Sequence, residues 1–205
     1  MATLAQPEFL EATYGSVCRS TRCDEKRRRT LESVVHLAVE LAREGREGRK
    51  VGTLFVIGDV DNVLAQSRSL LLDPLYGHSE DLLHVERPEF RETVKELSQL
   101  DGAFLVRDDG TFVSAGRYVD VEVGAAENFL PGLGTRHAAA ASVSRQTNAI
   151  AVVVSQSSVV RVFANGQVRA EIIPELFLMS KDGLFASRAD VRQVPEAGVT
   201  LAVAD

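Results

Sequence analysis

Two stretches of the chain repeat apolar residues at helical spacing. The first begins after Asp24, which can cap a helix that runs to about Glu44. Its apolar positions fall on one face and are Leu31, Val34, Val35, Ala38, Leu41 and Ala42. The second begins at Pro88, a residue suited to a first helical turn, and ends near Gln99. The pattern therefore predicts two amphipathic helices, each with one face against a core.

Short apolar runs rich in β-branched residues predict buried strands. These runs occupy residues 51–57, 103–106 and 149–154, and further strands are predicted over 111–119, 159–163 and 167–172. The turn sequences Asp108-Asp109-Gly110 and Asn165-Gly166 join two pairs of them as hairpins. Hairpins are antiparallel, so we predict an α/β fold: a single domain in which a central mixed β-sheet is flanked by α-helices.

The remaining segments carry weaker patterns. Residues 60–86 are mixed, with turns at Pro74 and Gly77, and after Pro174 we expect a short helix over 176–179 and an edge strand over 199–203. We accordingly divide the chain into three parts. These are an N-terminal arm or short helix over 1–24, the main domain over 25–175, and a C-terminal extension over 176–205 packed on that domain.

Composition excludes several classes of protein. The chain has 205 residues and a formal net charge of −6, which argues against broad electrostatic binding to nucleic acid or an anionic membrane. No apolar run approaches the roughly 18 residues of a membrane span, so we expect a soluble, cytoplasmic protein. For the basic run 26–29, a solvated helix start is favoured over a nucleic-acid or regulatory patch. Cys18 and Cys23 are expected to be free thiols, because no second pair completes a metal site.

The candidate chemistry lies in two short motifs. Asp101-Gly102-Ala103 opens a predicted strand, and Gly134-Thr135-Arg136-His137 opens an alanine-rich segment that predicts a helix to about Thr147. Thr135 is the expected N-cap of that helix, with Arg136 and His137 in its first turn. Free backbone N–H groups and the helix dipole make such a helix start an anion site. A carboxylate beside it is what a metal-bound polyphosphate requires.

These motifs resemble those of a known family, the diadenylate cyclase domain that is shared with the DNA-integrity scanning protein of bacteria. The family signatures are Asp-Gly-Ala and an Arg-His-Arg within Gly-Thr-Arg-His-Arg. Residues 51–59, 115–118 and 147–155 also match the family in order and spacing, so the resemblance covers roughly residues 25 to 173. The third motif position is Ala138 instead of arginine, and in this respect the chain resembles the archaeal-type branch.

The resemblance implies a nucleotidyltransferase that condenses two ATP into cyclic di-AMP and releases two pyrophosphates, with Mg²⁺ or Mn²⁺ as cofactor. It implies that Asp101 holds the metal or helps to deprotonate the attacking hydroxyl, and that Arg136 and His137 contact the polyphosphate. His137 is also a candidate metal ligand. Further implied substrate contacts are Gly102, Ala103, Tyr118, Leu133, Gly134, Thr135, Ser155 and Gln156, with Tyr118 and Leu133 on either side of adenine.

The implied product also predicts an assembly. Cyclic di-AMP is two-fold symmetric, so we expect two subunits to face each other, each presenting one ATP, in a homodimer or a higher homo-oligomer. Two alternatives stay open. Loss of the second motif arginine favours a domain of the same fold that senses a nucleotide or cyclic dinucleotide without turnover. A generic structural α/β protein would leave the matched motifs unexplained.

Overall fold

A computed structural model describes residues 14–15, 17–19, 21, 23–70, 72–121, 134–181, 189–194 and 199–204. The helices are α1 (Glu25–Glu44), α2 (Val60–Ala65), α3 (Pro88–Leu97), α4 (Thr135–Gln146) and α5 (Pro174–Lys181). The strands are β1 (Thr53–Ile57), β2 (Ser67–Ser69), β3 (Ala103–Val106), β4 (Phe112–Val119), β5 (Ile150–Val154), β6 (Val160–Ala164), β7 (Gln167–Ile172), β8 (Ala189–Val194) and β9 (Val199–Ala204).

Seven of these strands form one mixed sheet in the order β2-β4-β3-β1-β5-β6-β7. The central strand β1 runs parallel to β3 and antiparallel to β5. Every other neighbouring pair is antiparallel, including the β3–β4 and β6–β7 hairpins. At the Asn165-Gly166 turn both residues have positive φ, 53° and 76°, as the sequence predicted for a tight hairpin. The predicted mixed sheet is confirmed.

Helices cover both faces of this sheet. Side chains alternate along a strand, so Phe55 and Ile57 of β1 pack in one cluster with the apolar face of α1. Leu54 and Val56 point to the other face and pack in a second cluster with the alanines of α4. The six apolar residues predicted for the buried face of α1 are all buried. The sheet is therefore a buried layer between helices, and its strand order determines which loops lie next to one another.

The two outer strands are short or polar. β2 at one edge has three residues, none of them buried. β7 at the other edge buries only Ile172 and presents an exposed Gln167 and Glu171.

The basic run at the start of α1 is not uniformly solvated. Arg27 is 9% exposed, and its guanidinium contacts both carboxylate oxygens of Asp108, at 2.6 and 3.1 Å, and the carbonyl of Asn148 at 3.0 Å. The expected solvated helix start was therefore wrong for this residue, while Arg29 nearby is exposed and pairs with Glu25.

Some elements were not predicted. Residues 60–86, treated as mixed, contain α2, β2 and a 3₁₀ turn, Glu80–Leu82. The C-terminal strand over 199–204 forms, but it pairs with the unpredicted β8 in a separate two-stranded sheet. Helix α5 crosses the boundary proposed at residue 175 and sets the buried ring of Phe177 edge-on against His36 of α1, with ring centroids 5.1 Å apart. His36 is thus partly covered by this ring. Among the described residues, no helix combines the length and apolar character needed to cross a bilayer.

Candidate functional site

The two sequence motifs meet at one end of the strands, the end at which β1 and β3 begin, because of strand direction. β1 and β3 are parallel with Leu54 opposite Ala103, so Gly52 and Asp101, which precede these strands, lie at the same end of the sheet. β5 runs the other way with Val154 opposite Thr53, so Gln156, which follows β5, lies at this end of the sheet as well. The first turn of α4 also lies here, since Arg136 contacts Asp101. Residues from distant parts of the chain thereby share one surface.

An ion pair forms the centre of this surface. Arg136 Nη2 lies 3.2 Å from Asp101 Oδ1. The Asp101 side chain is 85% exposed and that of Arg136 is 35% exposed, so the pair is open to solvent and to a ligand. A Cβ atom on Gly52 would come within 3.0 Å of Arg136 Nη1 and 3.4 Å of Gln156 Cγ. Gly52 therefore leaves room for the guanidinium, a role that was not assigned to it from the sequence.

Gly102 holds Asp101 at the start of β3. Its φ is 105°, and a Cβ atom there would lie 2.6 Å from the carbonyl carbon of Gly116 on β4. Only glycine combines this backbone angle with such close passage of a neighbouring strand. Ala103, the third motif residue, is 1% exposed and packs in the core cluster on the α4 side of the sheet. The motif thus presents Asp101 and buries the residue that anchors it.

The second motif places an open helix start beside Asp101. The N-cap of α4 is Gly134, in an extended conformation, and a glycine has no side chain with which to cap the helix. The expectation that Thr135 is the N-cap was wrong by one residue; Thr135 is the first helical residue and is exposed. Helix geometry leaves the first backbone N–H groups without acceptors inside the helix. The N–H groups of His137 and Ala138 donate to the Gly134 carbonyl, at 3.0 and 3.3 Å, so a glycine cap leaves the N–H groups of Thr135 and Arg136 as the donors for an external anion.

His137 faces the opposite way from Arg136. It is 6% exposed, and its ring meets Phe163 edge-on with centroids 6.1 Å apart. Its Nε2 lies 3.2 Å from Nη1 of Arg161, whose other terminal nitrogen pairs with Glu171. Burial, followed by the charge of Arg161, lowers the pKa of His137 below its ordinary value. His137 is therefore favoured as a neutral imidazole, and Arg161 and Glu171 are neighbours that sequence reasoning missed.

Tyr118 lies on β4 at the side of the site nearest β2. It is 41% exposed, and the guanidinium carbon of Arg68, its partner across the β2–β4 pair, lies 4.6 Å from the ring centroid. This is cation–π geometry. Leu133, expected on the other face of adenine, lies outside the described residues, so the structure locates one member of that predicted pair.

The segment after β5 closes the site. The Ser155 hydroxyl lies 2.8 Å from that of Ser157 and donates to the carbonyl of Val159 at 3.0 Å, so this side chain shapes the turn. Gln156 is exposed, and its side chain lies beside Gly52, next to which the Arg136 guanidinium also lies. Two cations without an assigned role are also placed away from the ion pair: Arg107 pairs with Glu80 at 2.8 Å, and Arg145 packs on Gly166.

The donor set fits a metal that arrives with its substrate. Within the described ranges, no group of three His, Cys, Asp or Glu side chains could hold a metal ion unaided. Asp101 offers a solvent-exposed carboxylate of which one oxygen faces Arg136. Mg²⁺ is commonly held by one or two carboxylates together with substrate phosphates and water. One carboxylate beside an anion site satisfies this requirement.

A separate cleft of about 390 Å³ lies at the opposite end of the strands, beside the β3–β4 turn. It is bounded by the first turns of α1, by residues 84–86 and by Asp109. None of the residues predicted from the motifs lines it.

Comparison with known proteins agrees with this arrangement. The family model described as DAC, DisA bacterial checkpoint controller nucleotide-binding, matches residues 40–168. A diadenylate cyclase from Methanocaldococcus jannaschii is 47% identical over 160 residues, covering 78% of this chain and 50% of that protein. A diadenylate cyclase from Haloferax volcanii is 38% identical over 149 residues, covering 72% of this chain and 54% of that protein. The chain thus spans about half the length of these archaeal relatives.

A solved structure supports the fold separately. The crystal structure of a hypothetical membrane spanning protein from Bacillus cereus aligns with a TM-score of 0.53 at 21% identity, covering 81% of this chain and 70% of that one. At this identity the similarity speaks for the fold alone. The family match covers most of the sheet and both motifs, and the relatives are archaeal, as the alanine at position 138 indicated. The chain belongs to the DAC family of nucleotide-binding domains.

Proposed function

We propose that this chain is a diadenylate cyclase, which joins two ATP molecules into cyclic di-AMP. In each of two equivalent steps a ribose 3′-oxygen bonds to the α-phosphorus of the other ATP, the bond to pyrophosphate breaks, and the hydroxyl proton is released. The observation that carries the proposal is the exposed Asp101–Arg136 pair at the open start of α4, in a member of the DAC family. The two archaeal relatives are named for this activity.

Phosphate binding is assigned to the start of α4. Arg136 supplies a fixed positive charge with several donors, while the backbone N–H groups after Gly134 supply neutral donors in line with the helix dipole. Thr135 adds an exposed hydroxyl. Because phosphoryl transfer depends mainly on positioning and on charge neutralisation, this group of donors suits the polyphosphate of ATP.

The reacting hydroxyl is assigned to Asp101. A Mg²⁺ or Mn²⁺ ion, held by this carboxylate and the substrate phosphates, would neutralise phosphate charge and acidify a coordinated hydroxyl. Asp101 itself accepts a hydrogen bond from the ribose hydroxyl and orients it. Arg136 keeps the carboxylate in place before substrate binds, through the 3.2 Å contact. Gly102 fixes the backbone behind it.

Base recognition is assigned to the flanks of the site. Tyr118 offers an aromatic face on the β4 side, and Leu133 is retained as its partner across adenine. On the β5 side, Gln156 is assigned a substrate contact, which is supported by its exposed side chain beside Gly52, and Ser155 is assigned to the turn that carries it. The two-fold symmetry of the product requires a second site opposite the first, so the active species is a face-to-face homodimer or a larger assembly that contains one.

A second function of another class is a sensor that binds a nucleotide or cyclic dinucleotide without turnover. The observation that favours it is Ala138, which stands where the family motif has a second arginine. It makes one phosphate-facing cation unavailable at the helix start.

Product analysis separates these two functions. The protein is incubated with ATP and Mg²⁺ or Mn²⁺, and nucleotides are identified by chromatography with mass detection. We expect cyclic di-AMP from the parent and a loss of at least about 100-fold in Asp101→Asn, the range for a group that handles the transferred proton. Asp61→Asn is the matched control, because Asp61 is an exposed aspartate on α2, which begins where β1 ends, at the end of the strands opposite Asp101.

Three other outcomes would decide differently. ATP binding without product from the parent would replace the cyclase with the sensor. Equal product from the parent and Asp101→Asn would keep the reaction and refute the role of Asp101. Equal losses in Asp101→Asn and Asp61→Asn would show that the loss is not specific to the site.

A further inference from the structure

His137 lies against a pair of charged residues contributed by the β6–β7 hairpin. Arg161 on β6 and Glu171 on β7 stand directly opposite each other in the strand register and form an ion pair. The Arg161 side chain is only 17% exposed, so most of its surface contacts protein instead of solvent. Its Nη1 lies 3.2 Å from His137 Nε2. The hairpin thereby presents an oriented guanidinium to one nitrogen of the ring.

The chemistry of that contact fixes the proton positions on the ring. A guanidinium stays protonated and only donates hydrogen bonds. For the 3.2 Å contact to be a hydrogen bond, His137 Nε2 must accept and therefore carries no proton. In a neutral imidazole the proton is then on Nδ1, which becomes a donor. Arg161 thus selects one tautomer of His137 as well as one ring orientation.

We propose that Arg161, held in turn by Glu171, is a positioning residue that fixes His137 as the Nδ1–H tautomer. Resting on the cyclase function proposed above, this gives His137 a defined part beside the site: a buried, neutral residue that anchors the first turn of α4 to β6. A donor N–H cannot coordinate a cation at the same atom, so the metal falls to Asp101 and the substrate phosphates. The proposal also explains why a charged pair sits under the motif histidine on a hairpin that the Asp-Gly-Ala and Arg-His motifs do not include.

The tautomer can be measured without any turnover. The chain has four histidines, and ¹⁵N-labelled imidazole rings distinguish Nδ1–H from Nε2–H by NMR. His137→Gln identifies the signals of that ring by their disappearance. In the parent we expect Nε2 of His137 as the unprotonated nitrogen. In Arg161→Met, which keeps side-chain length but has no donor, we expect a shift toward the Nε2–H form.

Kinetics test the consequence for the reaction. Residues that hold a side chain of a functional site in place through hydrogen bonds typically cost 10–100-fold in activity when removed, so we expect Arg161→Met to lower kcat by about that factor. The KM for ATP should change far less, since Arg136 and the helix start remain. Glu171→Gln should give a smaller loss in kcat and covers the case in which Arg161→Met does not fold. The matched control is Arg169→Met, a neighbouring hairpin arginine that donates to the carbonyl of Ala164.

The two readouts separate this proposal from the proposed function. If the parent makes no cyclic di-AMP, the cyclase assignment fails, and the NMR comparison still decides whether Arg161 sets the tautomer. A folded Arg161→Met or Glu171→Gln variant with parental kcat in an active enzyme overturns the positioning role. Parental His137 protonated at Nε2, or an unchanged tautomer in Arg161→Met, overturns it as well.

Discussion

Gly102 connects the exposed carboxylate of Asp101 to the buried strand that carries it. At this point the backbone of β3 passes so close to β4 that a methyl group would lie 2.6 Å from Gly116 and 2.7 Å from Arg117. A residue with a side chain would have to push these strands apart as well as adopt a φ of 105°. The position of Asp101 therefore depends on the absence of a side chain next to it.

Gly102→Ala should destabilise the protein by more than backbone strain alone. We expect the loss in the free energy of unfolding to exceed the roughly 1–3 kcal/mol that is typical of a strained backbone position. Gly77→Ala is the control, because Gly77 also has a positive φ of 82° but no atom within 4 Å of the added methyl group. Urea unfolding of both variants measures the difference. Equal losses would mean that contact with β4 is unimportant.

The orientation of a single side chain was harder to predict than its location. The sequence indicated that Arg136 and His137 start a helix, but successive helical residues point about 100° apart, and only the packed structure shows which way each turns. Arg136 extends to Asp101, while His137 turns onto β6. Arg161, its neighbour there, is 24 residues away in sequence, and no local pattern relates the two.

At the scale of elements, Arg27 joins α1 to two loops. Its contacts reach Asp108 in the β3–β4 turn and the carbonyl of Asn148 before β5. Thr30, one turn later, donates to the carbonyl of Asp108 at 2.7 Å. These bonds attach the helix to the end of the strands that lies opposite the candidate site. The basic run was misread because Asp108 lies 81 residues away.

Arg27→Met should therefore cost stability although it lies in an apparently solvated run. Losing hydrogen bonds to a carboxylate and a carbonyl should lower the free energy of unfolding by about 1.5–3 kcal/mol. Arg29→Met, which removes an exposed ion pair with Glu25 from the same turn, should change it by less than about 0.5 kcal/mol. Chemical denaturation tests this contrast, and similar effects of both substitutions would contradict it.

Helices α1 and α3 are joined by a second set of charges. The carboxylate of Glu40 on α1 accepts from Arg91 at 2.7 Å and lies 3.0 Å from the buried Lys95, both on α3. Burial alone would raise the pKa of Glu40, but the bonds to Lys95 and Arg91 outweigh it and lower the pKa below the ordinary 4.5. The charged form of Glu40 is therefore the one that stabilises the helix pair.

The stability that Glu40 contributes should depend on pH. A carboxyl whose folded-state pKa is lowered contributes fully above its ordinary pKa, and the contribution disappears as pH falls through the folded-state value. Glu40→Gln should thus lose about 1 kcal/mol of unfolding free energy at pH 7, and the difference from the parent should shrink below pH 4.5. Denaturation across this pH range measures it, with the exposed Glu47→Gln as control. A difference that stays constant down to low pH would refute the assignment.

Long periodic elements were predicted and short ones were missed, for a physical reason. Helix α1 spans 20 residues, enough turns for its apolar face to repeat, and the buried strands are continuous apolar runs. Helix α2 has six residues and β2 has three, fewer than a pattern needs to show its period. The site motifs were found from a carboxylate before a strand and a polar helix start, and then from their resemblance to a known family, whereas Gly52 and Arg161 enter the site only through the folded packing.

At the scale of the whole molecule, the proposed reaction needs two copies of the site. If both carboxylates are required for two equivalent bonds, a dimer with one inactive site completes at most one of them. Adding excess Asp101→Asn protein should therefore suppress cyclic di-AMP formation by the parent at constant parent concentration. Excess Asp61→Asn should not suppress it. Strictly additive activity in the mixture, with dimers present by sedimentation, would contradict a shared face-to-face site.

The outer strands of the sheet have a consequence for how such copies can meet. An exposed strand edge invites another molecule to extend the sheet, and short or charged edges discourage this. Here one edge is the three-residue β2, and the other, β7, presents Gln167, Arg169 and Glu171 along an otherwise open strand. We therefore expect concentrated solutions of the folded protein to form finite, closed assemblies and to resist growth into fibrous aggregates.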